Sequence, residues 1–272
     1  SNADPALFLA MGIFALAFVV LYFVNIPEPH IVKTSAKKEK SKHSALSFRH
    51  FVLGTVAIFI YVGVEVGIPN FANLFMTSPE INIDPTIAGS VVGTYWFLMM
   101  IGRLCGASIG AKVSSRAMLT VVSTVGIALV LGAIFCADNI LVNMPVFKSD
   151  ISFGFAQVPV NVMLLILCGL CTSVMWGGIF NLAVEGLGKY TAAASGLFMV
   201  MVCGGGILPL IQGGVADFAG FLNSYWVIAL GLAYILFYAA IGSKNVNTDI
   251  PTDDYEAVSY THLRAHETDS YL

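Results

Sequence analysis

The sequence has 272 residues, of which 57% are apolar and 11% charged, with a mean hydropathy of +0.84. A soluble surface needs polar cover, and an ordinary globular domain carries about 25% charged residues. That class is excluded. The net charge of −3 says little, no nucleic-acid partner is expected, and the information lies in where the charges sit.

In chain order, apolar stretches run over residues 5–27, 51–76, 86–110, 117–137, 151–184, 190–216 and 218–243. Each exceeds the roughly 20 residues needed to cross a hydrocarbon core about 30 Å thick. Five carry no charge; the second holds only Glu65 and the third only Arg103. Lipid cannot satisfy exposed backbone groups, so such stretches cross as helices or as closed barrels. Continuous rather than alternating apolar runs reject a barrel. The expectation is an all-α integral membrane fold with seven transmembrane helices.

Residues 1–25 form the first helix and 26–50 a basic linker with Lys33, Lys37, Lys38, Lys40, Lys42 and Arg49. A six-helix bundle then occupies 51–243, followed by a polar tail over 244–272. With alternating crossings the linker, Lys112, Arg116, Lys189 and Lys244 fall on one side, which the positive-inside rule makes cytoplasmic. The N-terminus is then external and the C-terminus cytoplasmic. The linker reads as a solvated connection that could also meet anionic membrane lipid. Residues 258–272 differ in character from everything upstream and read as non-native. The chain starts without Met almost directly on a helix and reads as a fragment.

All five cysteines lie in or beside the apolar stretches, and Cys168 and Cys171 have the spacing of a metal or redox pair. With no His or acid near them, they read as small packing residues; no metal or cofactor is expected. Gly102, Gly106 and Gly110, and earlier Gly89 and Gly93, recur at the four-residue spacing that lets helix backbones approach closely.

Glu65 is the sharpest signal. It lies about 14 residues, or roughly 21 Å, into its helix, where an ionisable group must face a cavity, a partner or a proton. Pro69 cannot bond the Glu65 carbonyl, so side chain and freed carbonyl are expected to open the helix at one place. Asn70 and Asn73 follow on the next turn. Trp176, Gly177, Gly178 and Asn181 suggest a matching break in the fifth span. Gly204–Gly206 and Pro209, with Gln212, suggest another in the sixth. Trp96 beside Tyr95 adds aromatic surface. Amides and acids bond hydroxyls while a flat ring stacks on the apolar face of a sugar, so Glu65, Asn70, Asn73, Trp96, Trp176, Asn181 and Gln212 form a set suited to binding or coupling a polyhydroxylated ligand. Arg103 reads equally as a snorkelling cation or as part of a gate.

The run Tyr61-Val62-Gly63-Val64-Glu65 resembles a motif of the fucose/glucose/galactose symporter group of the major facilitator superfamily. Ile179-Phe180-Asn181-Leu182, followed by Gly186-Leu187-Gly188-Lys189-Tyr190-Thr191, looks like that group's tenth helix and its loop. Gly204-Gly205-Gly206-Ile207 is similar to its eleventh. The resemblance implies the last helix of an N-terminal bundle plus a C-terminal six-helix bundle, with the N-terminal half missing. It further implies alternating access and uptake of a monosaccharide with a proton or sodium across a bacterial inner membrane. In that group an acid or amide occupies the position of Glu65, which makes contact with sugar hydroxyls its implied role. The remaining alternatives are a membrane scaffold or sensor built on the same bundle, and an intramembrane enzyme.

Overall fold

The computed structural model describes residues 4–24, 43–110, 112–137, 139–148 and 152–252. The lysines of the basic linker and the segment 258–272 lie outside the described residues. α1 (Asp4–Phe23) falls in one unit of the chain, Ser1–Ser41, and carries the unbroken apolar stretch Met11–Phe23. Every other element belongs to a second unit, Lys42–Leu272.

That second unit runs α2 (Arg49–Thr77), α3 (Pro85–Gly110), α4 (Ser115–Phe135), β1 (Leu141–Phe147) and β2 (Phe153–Pro159). It continues through α5 (Val160–Thr172), α6 (Met175–Val184), α7 (Thr191–Val200), α8 (Gly204–Ala219) and α9 (Phe221–Phe237). Among the described residues six helical segments are long and apolar enough to cross a membrane. They are α2, α3, α4, α5 with α6, α7 with α8, and α9 with its closing turn.

Local chemistry sets the helix ends. The Asp84 carboxylate accepts the Thr86 N–H at 2.8 Å. Pro85 takes the first helical position, where its missing N–H costs nothing. Ser114 caps α4 by accepting the Ala117 N–H at 3.3 Å. Gly220, at φ 93°, ends α8 in the left-handed region and gives its N–H to the Ala216 carbonyl.

α2 is the central helix and packs against α3, α5, α6, α8 and α9. Lipid removes the hydrophobic drive between helices, so cohesion comes from close packing and buried hydrogen bonds. At Gly204 the α8 backbone abuts the carbonyl of Phe59, an approach that a side chain would prevent. Tyr225 donates across helices to the Ile68 carbonyl at 2.8 Å. Cys168 and Cys171 are free and buried in this packing.

Several local expectations change. The stretch from Ile151 does not enter the bundle as a helix: its described start is strand β2, and the fifth crossing begins at Val160. β1 and β2 pair antiparallel from Leu141↔Pro159 to Phe147↔Phe153, with Met144, Val146, Ala156 and Val158 buried and Phe153 and Phe155 exposed. α2 runs unbroken through Pro69 and α8 through Pro209, but the sixth crossing is interrupted directly before Gly204, where a 3-10 turn over Met201–Cys203 separates α7 from α8. The fifth crossing does break, but at Ser173–Val174, which leaves Trp176, Gly177 and Gly178 inside α6. Gly102 and Gly106 press on Ser173 and Val174 at that break, so two of the five glycines serve helix contact as expected. Gly89 and Gly110 meet nothing within 4 Å, and Gly93 lies over the Phe147 carbonyl of the hairpin rather than over a helix.

Candidate functional site

The site is built where α2, α3 and the α5–α6 break meet. Glu65, midway along α2, is held by Arg103 of α3, with Nη2 3.2 Å from Oε1. The carboxylate side chain is only 14% exposed and the arginine 56%. An isolated carboxylate among apolar helices would lack compensation, and a guanidinium donating to it supplies both charge and hydrogen bond. Arg103 is therefore turned to Glu65, a pairing that neither the snorkelling nor the gating expectation contained.

Below the ion pair lies a knot of hydroxyls. Pro69 leaves the Glu65 carbonyl without its helical donor, and the Tyr95 hydroxyl from α3 approaches that carbonyl at 3.2 Å. The same hydroxyl lies 3.0 Å from Thr172 Oγ1. Thr172 ends α5, so its carbonyl is one of those a helix terminus leaves open; Tyr61 of α2 donates to it at 3.2 Å. Two backbone irregularities, at Pro69 and at the α5–α6 break, are thus met by two tyrosines. That is how α2 stays continuous.

Beside the break opens a cavity of about 620 Å³, lined among others by Arg103, Ser115, Ser173, Trp176 and Asn181. Trp176 is half-buried and packs edge-on against Tyr61 and Phe198, with centroids 6.2 and 6.0 Å away. Asn181 is exposed to the cavity. A cation, an amide, hydroxyls and an indole on one wall can bond and stack a small polar, ring-shaped molecule.

Of the residues singled out by sequence, Arg103, Trp176 and Asn181 come together here, and Glu65 joins them through Arg103. Asn70 and Asn73 lie further along α2, the first exposed and the second half-buried. Gln212 is buried at 1% exposure; its Nε2 donates to Ser224 Oγ at 3.4 Å, while Oε1 has no partner. Trp96 is 44% exposed and touches Tyr95 edge-on at 5.3 Å. None of these four lines the cavity. Thr172 and Ser173 went unnoticed in the sequence, where nothing but the orphaned Glu65 carbonyl signals a need for buried hydroxyls.

Apolar crossings around a polar, charged cavity define a multi-pass membrane protein. The chain matches the Major Facilitator Superfamily over residues 5–210 and belongs to that superfamily. It is 30% identical over 243 residues to a glucose/galactose transporter of Brucella abortus, covering 89% of this chain and 53% of that protein. A putative glucose/galactose transporter of Helicobacter pylori is also 30% identical, over 87% of this chain and 54% of its own length. The L-fucose-proton symporter of Escherichia coli is 22% identical over 87% of this chain and 50% of that protein. The chain thus spans about half the length of the relatives it matches. In structure it is similar to the transporter FucP in its outward conformation, with a TM-score of 0.69 and 22% identity over 89% of this chain and 55% of that one. At that identity the likeness concerns the fold alone. The relatives are transporters, and the intramembrane-enzyme alternative falls away.

Proposed function

We propose that this chain is the C-terminal bundle, with the preceding helix, of a secondary transporter that takes up a monosaccharide of the glucose, galactose or fucose kind. The observation that carries the reading is Arg103, held by Glu65 behind it, at the wall of a cavity that also presents Trp176 and Asn181. The names of the relatives supply the substrate class. Charged and amide groups bond sugar hydroxyls and the indole stacks on the ring. Uptake is coupled to a proton or sodium and proceeds by alternating access, with an N-terminal bundle forming the other wall of the path. The protein sits in a bacterial inner membrane with the linker and C-terminus in the cytoplasm.

Because Arg103 occupies Glu65, the pair serves sugar hydroxyls rather than carrying the coupling ion. The deciding experiment is uptake of a sugar panel into vesicles bearing the full-length protein, at two pH values, with and without sodium. One sugar should accumulate under one ion gradient. Flat signals for every sugar would remove the assignment and leave the fold untouched.

A further inference from the structure

The β-hairpin lies deep along α3. Its tip residue Phe147 donates its N–H to Thr94 Oγ1 at 2.9 Å and stacks on Phe97 at 4.8 Å. Thr94 is about 14 Å from the Pro85 end of α3 at a rise of about 1.5 Å per residue. The base of the hairpin stays at that end, where Val160 N–H bonds the Ile140 carbonyl at 2.8 Å and α5 begins. α3 itself has 26 residues, about 39 Å, and when centred in a core of about 30 Å it overshoots by about 4–5 Å at each end. A centred α3 thus carries the hairpin tip about 9 Å below the hydrocarbon boundary.

Strand edges at that depth need cover. The bonds Lys148 N–Ser152 O and Val160 N–Ile140 O fix the phase of the ladder. By alternation, the N–H groups of Phe153, Phe155 and Gln157 point away from β1. On the β1 edge the corresponding donor of Phe147 reaches Thr94, and Pro145 has none. The three donors of β2 have no partner among the described residues. Open sheet edges do not face lipid, but they do line water-filled cavities. Exposed Lys148 at the tip has the same requirement.

The exposed face of this hairpin brings amide and aromatic side chains together. Register places Asn143 opposite Gln157 and Pro145 opposite Phe155, with Phe147 opposite Phe153. Phe155 is 78% and Phe153 67% exposed. Paired amides beside aromatic faces and free backbone donors make a platform for a polyhydroxylated ring. We propose that the hairpin is a re-entrant wall of the water-filled entrance on its side of the membrane, and that Asn143, Gln157 and Phe155 form a first sugar-docking site there. This site rests on the sugar-transport reading but is separate from the Arg103 cavity.

The test uses the full-length protein in membranes, with Cys105→Ser and Cys203→Ser to silence exposed thiols. Phe155→Cys should react with a membrane-impermeant maleimide at least tenfold faster than Val158→Cys on the buried face. Saturating glucose, galactose or fucose, whichever is transported, should slow that reaction severalfold. Gln157→Ala should raise the KM for uptake about tenfold and leave the maximal rate within twofold. Phe155→Cys reacting only with a lipid-soluble maleimide would overturn the wet wall, as would complete resistance to both reagents, which would mean cover by protein. Fast labelling that no sugar slows, with an unchanged KM for Gln157→Ala, would overturn the docking site. Failure of the unmodified protein to take up any sugar would sink the transport reading and the ligand with it, whereas labelling would still decide whether the hairpin meets water.

Discussion

The Tyr95 hydroxyl lies 3.2 Å from the carbonyl of Glu65, the one carbonyl in α2 that Pro69 cannot bond. Proline in the middle of a helix normally costs about 3 kcal/mol and kinks it, yet α2 continues. The donor from α3 replaces the missing N–H and ties the two helices at mid-depth. Tyr95→Phe should leave this carbonyl unsatisfied in a dry setting, at a cost of about 1–3 kcal/mol. The purified protein should then melt several degrees lower in detergent. An unchanged melting temperature would mean that water or a bend in α2 already serves the carbonyl.

The ion pair gives an asymmetric expectation. Arg103→Ala strands Glu65, which is 14% exposed, without compensation, whereas Glu65→Gln releases a guanidinium that is 56% exposed and can hydrate. Because one partner is wet, the full cost of about 3–5 kcal/mol for breaking a buried pair is discounted to about 1–2 kcal/mol. Arg103→Ala should therefore lower the melting temperature more than Glu65→Gln, and the double variant Arg103→Met/Glu65→Gln should recover most of the loss. For sugar binding the order differs: Glu65→Ala should weaken affinity about tenfold, a loss of about 1.4 kcal/mol. Cys168→Ser should leave affinity alone, since the thiol is buried away from the cavity. Titration of binding by intrinsic Trp fluorescence measures both.

How much of this was legible in the sequence depends on the range of each interaction. Crossings are written in long charge-free runs, so α2 to α9 fall close to the places composition assigns. Glu65 announces itself because a lone carboxylate in an apolar run demands a partner, but the partner, Arg103, lies on another helix and no local rule pairs them. The hairpin was hidden because Phe153–Pro159 carries no charge and joins the helix that follows in one uncharged run; its alternation, with Asn143 and Gln157 facing one way, was the unused signal. The break at Ser173–Val174 contains neither Gly nor Pro and is imposed by packing against Gly102 and Gly106. Local propensity pointed instead to Gly177 and Gly178, which α6 absorbs.

Outside the crossings, Asp84 offers a pH readout. Its carboxylate accepts the Thr86 N–H, and this bond, with lesser help from Thr86's side chain, holds its pKa below the usual carboxylate value. A folded pKa below the unfolded one contributes stability above the unfolded value, about 3.9. That contribution disappears as the pH falls through the folded value. The melting temperature should thus drop between about pH 5 and 3 by slightly more in the wild type than in Asp84→Ala. Parallel curves would show that the α3 cap carries no charge-dependent stability.

The glycines of α3 separate packing from mere recurrence. All of Gly89, Gly93, Gly102, Gly106 and Gly110 share the small-residue spacing, yet a Cβ at Gly102 would collide with Ser173 and one at Gly106 with Val174. At Gly89 and Gly110 it would meet nothing within 4 Å. Gly102→Ala and Gly106→Ala must push α3 away from the α5–α6 break, an overpacking cost of about 1–3 kcal/mol. That displacement also stretches the bonds of Tyr95 to Glu65 and Thr172. Gly89→Ala and Gly110→Ala gain helix propensity of about 1 kcal/mol and should be neutral or stabilising. Melting curves of the four variants should therefore split into two pairs. A uniform loss across all four would mean that the whole stripe faces a helix, and the placement of the break against Gly102 and Gly106 would be wrong.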